Sequence, residues 1–181
     1  MPEGETGGTA RVLIIYDTRY SSTKTIARWI AEGIASKGQV DVTVQNVAEA
    51  DPLGFDFIVI GSPIYEEHPL PSVVNFLAAN RDHLNDKDVA LFVVCADYGA
   101  VPKEELVHRY ATDLQARAAG RVRAIEVFGG YLDADKLTDT DRRLIEDFAR
   151  LMGVPVTKVN KLDKQGARKF GAQVAHFLER P

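Results

Sequence analysis

A hydroxyl-rich segment follows the first apolar run of the chain, and its residue types are those that bind phosphate. Thr18, Ser21, Ser22 and Thr23 follow the apolar residues 11–16 and precede a helical repeat of isoleucines. Backbone N–H groups and the dipole at a helix N-terminus favour an anion, and hydroxyl groups donate to phosphate oxygens. The Gly-x-x-x-x-Gly-Lys and Gly-x-Gly-x-x-Gly patterns are missing, which excludes the common nucleotide and dinucleotide loops. Helix capping by these hydroxyls is the alternative interpretation.

Two further segments offer aromatic side chains for a planar ligand. Residues 61–70 contain Tyr65 between prolines, and residues 95–100 contain Tyr98 followed by Gly99. A planar ring system stacks on a tyrosine and forms hydrogen bonds to exposed backbone groups beside it. Each segment taken alone is also compatible with a surface turn. The three segments together predict a pocket for an aromatic ring with a phosphate tail.

Buried strands alternate with amphipathic helices along the chain, and this alternation would bring the three segments together. The sequence predicts an α/β fold: a doubly wound, five-stranded parallel sheet in the order 2-1-3-4-5, with helices on both faces. In such a sheet a ligand binds beyond the carboxyl ends of the strands, beside strand 1. Strands are predicted at residues 11–16, 40–45, 55–60 (ended by the Gly-Ser-Pro of residues 61–63), 89–95 and 122–128, with a short extra strand at residues 156–159. Helices are predicted at residues 26–37 (ended near the Lys-Gly of residues 37–38), 71–77, 102–114, 139–152 and 163–178.

The combined pattern resembles the flavodoxin family. That family's phosphate loop reads Thr/Ser-x-Thr-Gly-x-Thr, and residues 18–23 match its outer threonines, with Tyr20 replacing the middle threonine and Ser21 the glycine. The family's second loop, Gly-Ser-Pro-x-Tyr/Trp, is matched by residues 61–65. Residues 97–99 (Asp-Tyr-Gly) stand where its third flavin-contacting loop lies. The resemblance implies a flavodoxin-like fold and FMN as the cofactor.

The resemblance to the family covers residues 11–178, and within the family the chain is most similar to the branch that contains menaquinone-dependent protoporphyrinogen oxidase. Thr18 and Arg19 match the Ser-Thr-Arg of that branch, and Phe-Gly-Gly at residues 128–130 ends a strand before an inserted segment with a helix. The insertion at residues 132–141 lacks the basic and aromatic character expected of an enzyme that uses a membrane quinone.

The resemblance implies an FMN-binding electron-transfer protein that shuttles electrons between redox partner proteins. The alternative is an FMN-dependent oxidoreductase of the protoporphyrinogen oxidase or quinone reductase type, with a porphyrinogen or a quinone as substrate. A phosphoacceptor domain of the same fold is disfavoured, because the third and fifth strands end in Gly-Ser and Gly-Gly rather than in a carboxylate and a lysine. The residues that the resemblance assigns to FMN binding are Thr18, Arg19, Tyr20, Ser21, Ser22, Thr23, Ser62, Pro63, Ile64, Tyr65, Glu66, Asp97, Tyr98 and Gly99, with Tyr65 and Tyr98 flanking the ring.

Single residues of this implied site carry further expectations. The Arg19 side chain either adds positive charge to the phosphate site or points to solvent, and both readings stay open. Ser21 stands where glycine permits a positive φ, and a positive φ would cost ~1–3 kcal/mol at a serine. Glu66, Glu67 and Asp97 near the ring would disfavour a negatively charged reduced flavin by repulsion.

Length and composition limit the other classes of function. The chain has 181 residues, a formal net charge of −4 and one cysteine, Cys95. We expect a disordered tail at residues 1–10 and one domain at residues 11–181, and the acidic balance disfavours nucleic-acid binding. A single cysteine excludes an internal disulfide framework, a four-cysteine zinc site and a cysteine-held iron–sulfur cluster, so a redox role needs an external cofactor. We expect no metal site and a cytoplasmic location, because the histidines lack metal-ligand spacing and neither a signal peptide nor a membrane span is indicated.

Overall fold

The computed structural model describes residues 8–153, 155 and 158–179, in which strands and helices alternate. A π-helical turn, Val107–Ala111, joins α4 to α5, and a 3-10 turn, Ala134–Lys136, precedes α6. The strands are β1 (Ala10–Tyr16), β2 (Val40–Asn46), β3 (Phe57–Tyr65), β4 (His68–Pro69), β5 (Asp88–Cys95), β6 (Arg121–Gly129), β7 (Tyr131–Leu132) and β8 (Val159–Asn160). The helices are α1 (Ser22–Ala35), α2 (Pro71–Ala79), α3 (Arg81–Leu84), α4 (Lys103–Leu106), α5 (Thr112–Arg117), α6 (Asp139–Met152) and α7 (Lys164–Leu178).

The central sheet is parallel and has the order β2-β1-β3-β5-β6. This order confirms the predicted arrangement 2-1-3-4-5, because the short β4 pairs antiparallel with β3 and only shifts the numbering. In register, Tyr16 pairs with Gly61 and Cys95 pairs with Gly129. The carboxyl ends of the strands therefore lie at one edge, which is where ligands bind in such sheets.

Side chains of the strands alternate between two apolar clusters, one on each face of the sheet. Ile14 and Phe92 belong to the cluster that includes α1 and α7, and Ile15 and Leu91 belong to the cluster that includes α2 and α5. Strands buried on both faces are continuous apolar runs, and β1 shows this pattern.

Helices α1 and α7 contact each other at glycines. A Cβ added to Gly33 would lie 2.2 Å from the carbonyl oxygen of Arg168, and one added to Gly171 would lie 2.1 Å from the carbonyl oxygen of Ile30. Only glycine permits such close backbone approach. The contact fixes the position of α1, whose N-terminus follows the hydroxyl-rich segment.

Strand β3 is longer than predicted, because it continues through residues 61–63 to Tyr65. The prediction that Gly-Ser-Pro ends the strand is therefore wrong. A Cβ added to Gly61 would lie 2.0 Å from the Phe92 ring, so glycine is required there by packing within an extended strand. Beyond Gly61 the pairing with β1 has ended, while pairing with β5 continues to Pro63. Proline is tolerated at such an edge.

The segment between β6 and α7 contains the antiparallel pair β7–β8 and helix α6. Helix α6 has the predicted bounds, and its N-cap residue Thr138 accepts a hydrogen bond from the backbone N–H of Asp141. Its apolar residues Leu144, Phe148 and Leu151 are exposed rather than packed in the core.

Two predicted segments fall partly outside the described residues. Residues 1–7 of the predicted tail, and residues 156 and 157 of the predicted short strand, lie outside them, whereas Ala10 already begins β1 and β8 begins at Val159. Within the described part of the chain, no helix has both the length and the apolar character needed to cross a bilayer.

Candidate functional site

The segment between β1 and α1, residues 17–21, is organised by an aspartate at its start. Asp17 accepts hydrogen bonds from the backbone N–H of Thr18 at 2.7 Å, from the Asn46 amide at 3.3 Å and from the Ser72 hydroxyl. Because these donors come from three parts of the chain, Asp17 fixes where this segment, which we call the phosphate loop, leaves the sheet.

The phosphate loop ends in a residue with a strained backbone, directly before helix α1. Ser21, the N-cap of α1, has a φ of 70° and a ψ of −6°, so this serine adopts the left-handed conformation that glycine prefers. Among the described residues its side chain forms no capping hydrogen bond, and the first turn of α1 carries no acidic side chain. Backbone N–H groups at this terminus are therefore left for another acceptor.

Two hydroxyl groups at the start of α1 have different surroundings. The Ser22 hydroxyl accepts a hydrogen bond from the backbone N–H of Tyr131 at 2.9 Å and lies 3.2 Å from the Tyr131 carbonyl oxygen. Thr23 is fully buried, and its Oγ1 finds no hydrogen-bond partner among the described residues. A buried hydroxyl without a partner costs about 1–3 kcal/mol, so this atom is a candidate ligand contact.

Four polar side chains meet above the phosphate loop. The buried carboxylate of Asp141, in the first turn of α6, accepts a hydrogen bond from the Arg19 guanidinium at 3.1 Å and another from the Tyr20 hydroxyl. The same guanidinium lies 4.1 Å from the centre of the Tyr65 ring. Arg19 is thus paired with Asp141 and stacked on Tyr65.

Ionisation of this cluster is set by burial and by charge. Burial raises the pKa of Tyr65, and the neighbouring Asp141 carboxylate raises it further. Burial alone would raise the pKa of Asp141, but hydrogen bonds from Tyr20 and Tyr65 and the charge of Arg19 outweigh it, so the pKa lies below its ordinary value. Asp141 is therefore a carboxylate and Tyr65 a neutral phenol at pH 7.

The second predicted loop is a tight turn between β3 and β4. Glu66 and Glu67 have φ values of 46° and 70°, both in the left-handed region that a two-residue hairpin turn requires. Ser62 is buried, and its hydroxyl accepts a hydrogen bond from the Leu70 N–H at 2.9 Å and lies 2.8 Å from the Pro63 carbonyl oxygen. Ser62 therefore stabilises the hairpin, which exposes the turn to solvent.

The third predicted loop is attached to the second by a tyrosine from the π-helical turn. The hydroxyl of the buried Tyr110 lies 2.6 Å from the Asp97 carboxylate and 3.2 Å from that of Glu67. Gly99 has a φ of 81°, and a Cβ added to Gly129 would lie 2.9 Å from the Tyr98 ring. The Tyr98 ring thus lies against the end of β6.

The predicted site residues are accordingly brought together in two groups. Residues 17–23 contact Tyr65 through Arg19, and Glu67 contacts Asp97 through Tyr110. A cavity of about 400 Å³ lies beside the phosphate loop. It is lined by Arg19, Tyr20, Ser21, Ser22, Thr25, Tyr131, Leu132, Asp133, Lys136, Leu137 and Leu162. No cluster of three or more histidine, cysteine or acidic side chains suited to a metal occurs in the ranges the structure describes.

Sequence reasoning missed three residues that hold these loops. Asp17 had a local signal, because an acidic residue directly after a buried strand can accept the next backbone N–H. Tyr110 falls within the predicted helix at residues 102–114, and no local pattern marks its hydroxyl as a link between loops. Asp141 had no local signal, because its partner Arg19 lies 122 positions away in the chain.

Comparison with known proteins identifies the family. The family model described as a flavodoxin domain matches residues 13–155, and the chain belongs to this family. A flavodoxin of Aquifex aeolicus is 43% identical over 56 residues, which cover 29% of this chain and 30% of that protein. The coenzyme F420H2 oxidase of Methanothermobacter marburgensis is 40% identical over 74 residues, which cover 37% of this chain and 18% of that protein. The matches thus span less than a third of either relative's length.

A solved structure gives the same fold. A flavodoxin from the domain Archaea superposes with a TM-score of 0.57 at 19% sequence identity, covering 94% of this chain and 99% of that one. Flavodoxins are flavoproteins of electron transport and oxidoreduction, and the family's cofactor is FMN. The residues present fit that group: the buried Thr23 hydroxyl, at the N-terminus of α1, has no partner in the part of the chain that the structure describes, and a phosphate there would accept its hydrogen bond.

Proposed function

We propose that this chain is an FMN-binding electron-transfer protein that shuttles electrons between redox partner proteins. The observation that carries the proposal is the buried Thr23 hydroxyl, which has no partner among the described residues although it lies at a helix N-terminus. Family membership limits the function to FMN-based electron transfer or oxidoreduction.

The phosphate is assigned to the loop before α1. Thr23 Oγ1 and the backbone N–H groups at the start of α1 are its main donors in this proposal, with Thr18 and Ser21 as further hydroxyls. Ser22 contributes less through its side chain, because its hydroxyl is already bonded to the backbone of Tyr131. The N–H of Thr18 is likewise taken by Asp17. These existing bonds explain why Thr23 is the most informative position.

The isoalloxazine ring is assigned to the loops that carry Tyr65 and Tyr98. Tyr65 offers an aromatic face that is partly buried, and the backbone of the strained Glu66–Glu67 turn lies directly after it. Gly99 supplies the positive φ that a close backbone approach in the third loop requires. Bound FMN supplies one- and two-electron transfer, while these residues bind and orient it.

Charges near the proposed ring site are unevenly neutralised. Asp97 lies 3.6 Å from the Arg109 guanidinium and accepts a hydrogen bond from Tyr110, so its charge is balanced within the protein. Glu66 is exposed at the tip of the turn. Exposed acidic residues beside the ring, in a chain with a net charge of −4, favour electrostatically steered docking of a basic redox partner.

The second candidate is a role as the flavin module of an oxidoreductase. The similarity to the F420H2 oxidase supports this candidate. The matched segment makes up 18% of that protein, so the similar sequence forms one part of a longer oxidase. For the quinone or porphyrinogen substrate considered from the sequence, no observation favours either compound. Carrier function needs only the residues described above, and we therefore prefer it.

The discriminating experiment compares electron transfer with turnover. The purified chain is loaded with FMN, reduced by dithionite without oxygen, and mixed with cytochrome c, a basic one-electron acceptor. A carrier reduces cytochrome c in a single turnover whose second-order rate falls steeply with ionic strength. The same protein should give no sustained oxidation of NADH or NADPH with menadione. Sustained NAD(P)H–quinone turnover would contradict the carrier proposal.

A further inference from the structure

Helix α6 is connected to the site by one buried carboxylate. Asp141 is 4% exposed, whereas Leu144, Phe148 and Leu151 of the same helix are 42%, 48% and 83% exposed. A helix that leaves its large apolar residues in solvent gains little from packing. A buried carboxylate in its first turn is costly unless it is paired, so the partners of Asp141 matter to both α6 and the loop that supplies them.

The hydrogen-bond partners of the Asp141 carboxylate come from the phosphate loop, and one of them reaches Tyr65 at the end of β3. The Arg19 guanidinium approaches to 3.1 Å, and the Tyr20 hydroxyl donates to the second carboxylate oxygen. The Tyr20 hydroxyl also accepts a hydrogen bond from the backbone N–H of Thr138, at 3.3 Å. Arg19 in turn stacks on Tyr65 at 4.1 Å. One carboxylate therefore connects α6, the phosphate loop and the end of β3.

These connections join parts of the site that the sheet alone does not hold. Ser21 at the end of the phosphate loop has a strained φ of 70°, and the loop residues Arg19 and Tyr20 reach away from the sheet toward α6. Charge-assisted hydrogen bonds in a partly buried site are stronger than neutral ones. Here they hold the loop assigned to the phosphate and, through Arg19, the tyrosine assigned to the ring.

We propose that Asp141 is a positioning residue of the flavin site, which holds the phosphate loop and Tyr65 in one arrangement before FMN binds. The inference rests on the proposed function, because it takes these loops as the FMN site. Removing the charge of Asp141 releases Arg19 and Tyr20, so part of the binding free energy goes into ordering the loop.

The test compares two isosteric variants on the same helix. Asp141→Asn keeps the side-chain shape but removes the charge. Asp147→Asn removes a charge from a side chain that is 73% exposed and pairs with Arg150. We expect Asp141→Asn to raise the FMN dissociation constant about tenfold, measured by quenching of flavin fluorescence. Asp147→Asn should stay within twofold of the unchanged chain.

A second readout does not depend on FMN. Limited trypsin digestion of the apoprotein, followed by mass spectrometry, measures cleavage after Arg19. We expect cleavage there to be several-fold faster in Asp141→Asn and unchanged in Asp147→Asn, with thermal denaturation showing that both variants are folded. If Asp141→Asn does not fold, Tyr20→Phe replaces it, since it removes one of the same hydrogen bonds and should weaken FMN binding in the same direction.

The outcomes separate the two proposals. If the unchanged chain binds no FMN, the proposed function fails, whereas the trypsin readout still reports whether Asp141 holds the loop. If the unchanged chain binds FMN and Asp141→Asn binds it within twofold with equal cleavage after Arg19, the positioning role is refuted.

Discussion

Removal of the buried Thr23 hydroxyl should have two opposite effects. It should raise the free energy of unfolding of the apoprotein, and it should weaken FMN binding. Thr23→Val replaces the hydroxyl with a methyl group of similar volume, at a helical position where threonine and valine have similar propensities. In the apoprotein the hydroxyl is buried without a partner among the described residues. Such a group costs about 1–3 kcal/mol, so its removal should stabilise the apoprotein by about 1 kcal/mol.

The same change should weaken cofactor binding. A hydrogen bond to a charged phosphate contributes about 1.5–3 kcal/mol, which corresponds to a dissociation constant about 10- to 100-fold higher. For a chain of this size, 1 kcal/mol of stability shifts the melting temperature by about 2–4 °C. Thr23→Val should therefore melt higher than the unchanged chain without FMN and lose part of the stabilisation that FMN adds.

The assay is thermal denaturation with and without FMN, combined with a flavin fluorescence titration. Thr112→Val is the control, because Thr112 is an exposed helical threonine whose hydroxyl lies 3.4 Å from the Val107 carbonyl oxygen. It should change neither FMN affinity nor the difference between the two melting temperatures. A Thr23→Val apoprotein that melts lower, or binds FMN as the unchanged chain does, would refute the assignment of this hydroxyl to the phosphate.

Three further predictions concern strain, loop coupling and the thiol. Ser21→Gly should raise the free energy of unfolding by about 0.5–1 kcal/mol in urea titrations. The strain energy removed at the positive φ should exceed the free energy lost because glycine makes the unfolded chain more flexible. A lower urea midpoint would show that the serine is not strained. Tyr110→Phe should cost about 1–2 kcal/mol, because it keeps the ring but removes the hydroxyl between Asp97 and Glu67; an unchanged urea midpoint would argue against this link. Burial and the nearby Asp97 carboxylate raise the pKa of Cys95 to about 11, so at pH 8 about one thiol in a thousand is ionised. Iodoacetamide should therefore label Cys95 far more slowly in the folded protein than in the unfolded one. Equal labelling rates would contradict this.

The fold could be predicted because its strands carry their own signal. Five apolar runs of strand length alternate with helical repeats, and this pattern determines a parallel sheet with few possible orders. The end of β3 could not be predicted in the same way, because Gly61 and Pro63 look like a loop locally. Glycine is needed at position 61 for contact with Phe92, and proline at position 63 is tolerated beyond the end of β1.

The candidate site could be inferred from the sequence where its residues form local motifs. The hydroxyl-rich segment and the loop with Tyr98 follow strands, and the Gly-Ser-Pro-Ile-Tyr segment forms the end of β3, so all three lie at one edge of the sheet. The role of Arg19 could not be decided from the sequence, because its partner Asp141 is distant in the chain. Tyr110 shows the same limit, since the contacts of its hydroxyl depend on how the π-helical turn packs against two loops.

The most direct test of the central claim compares FMN with riboflavin, which has the same ring system without the phosphate. The two flavins are titrated into the apoprotein, and binding is measured by flavin fluorescence. The phosphate loop before α1 predicts that FMN binds with strong quenching and at least about 100-fold more tightly than riboflavin, because several charge-assisted hydrogen bonds to the phosphate are lost with riboflavin. Equal affinities, or no quenching with FMN, would contradict the account.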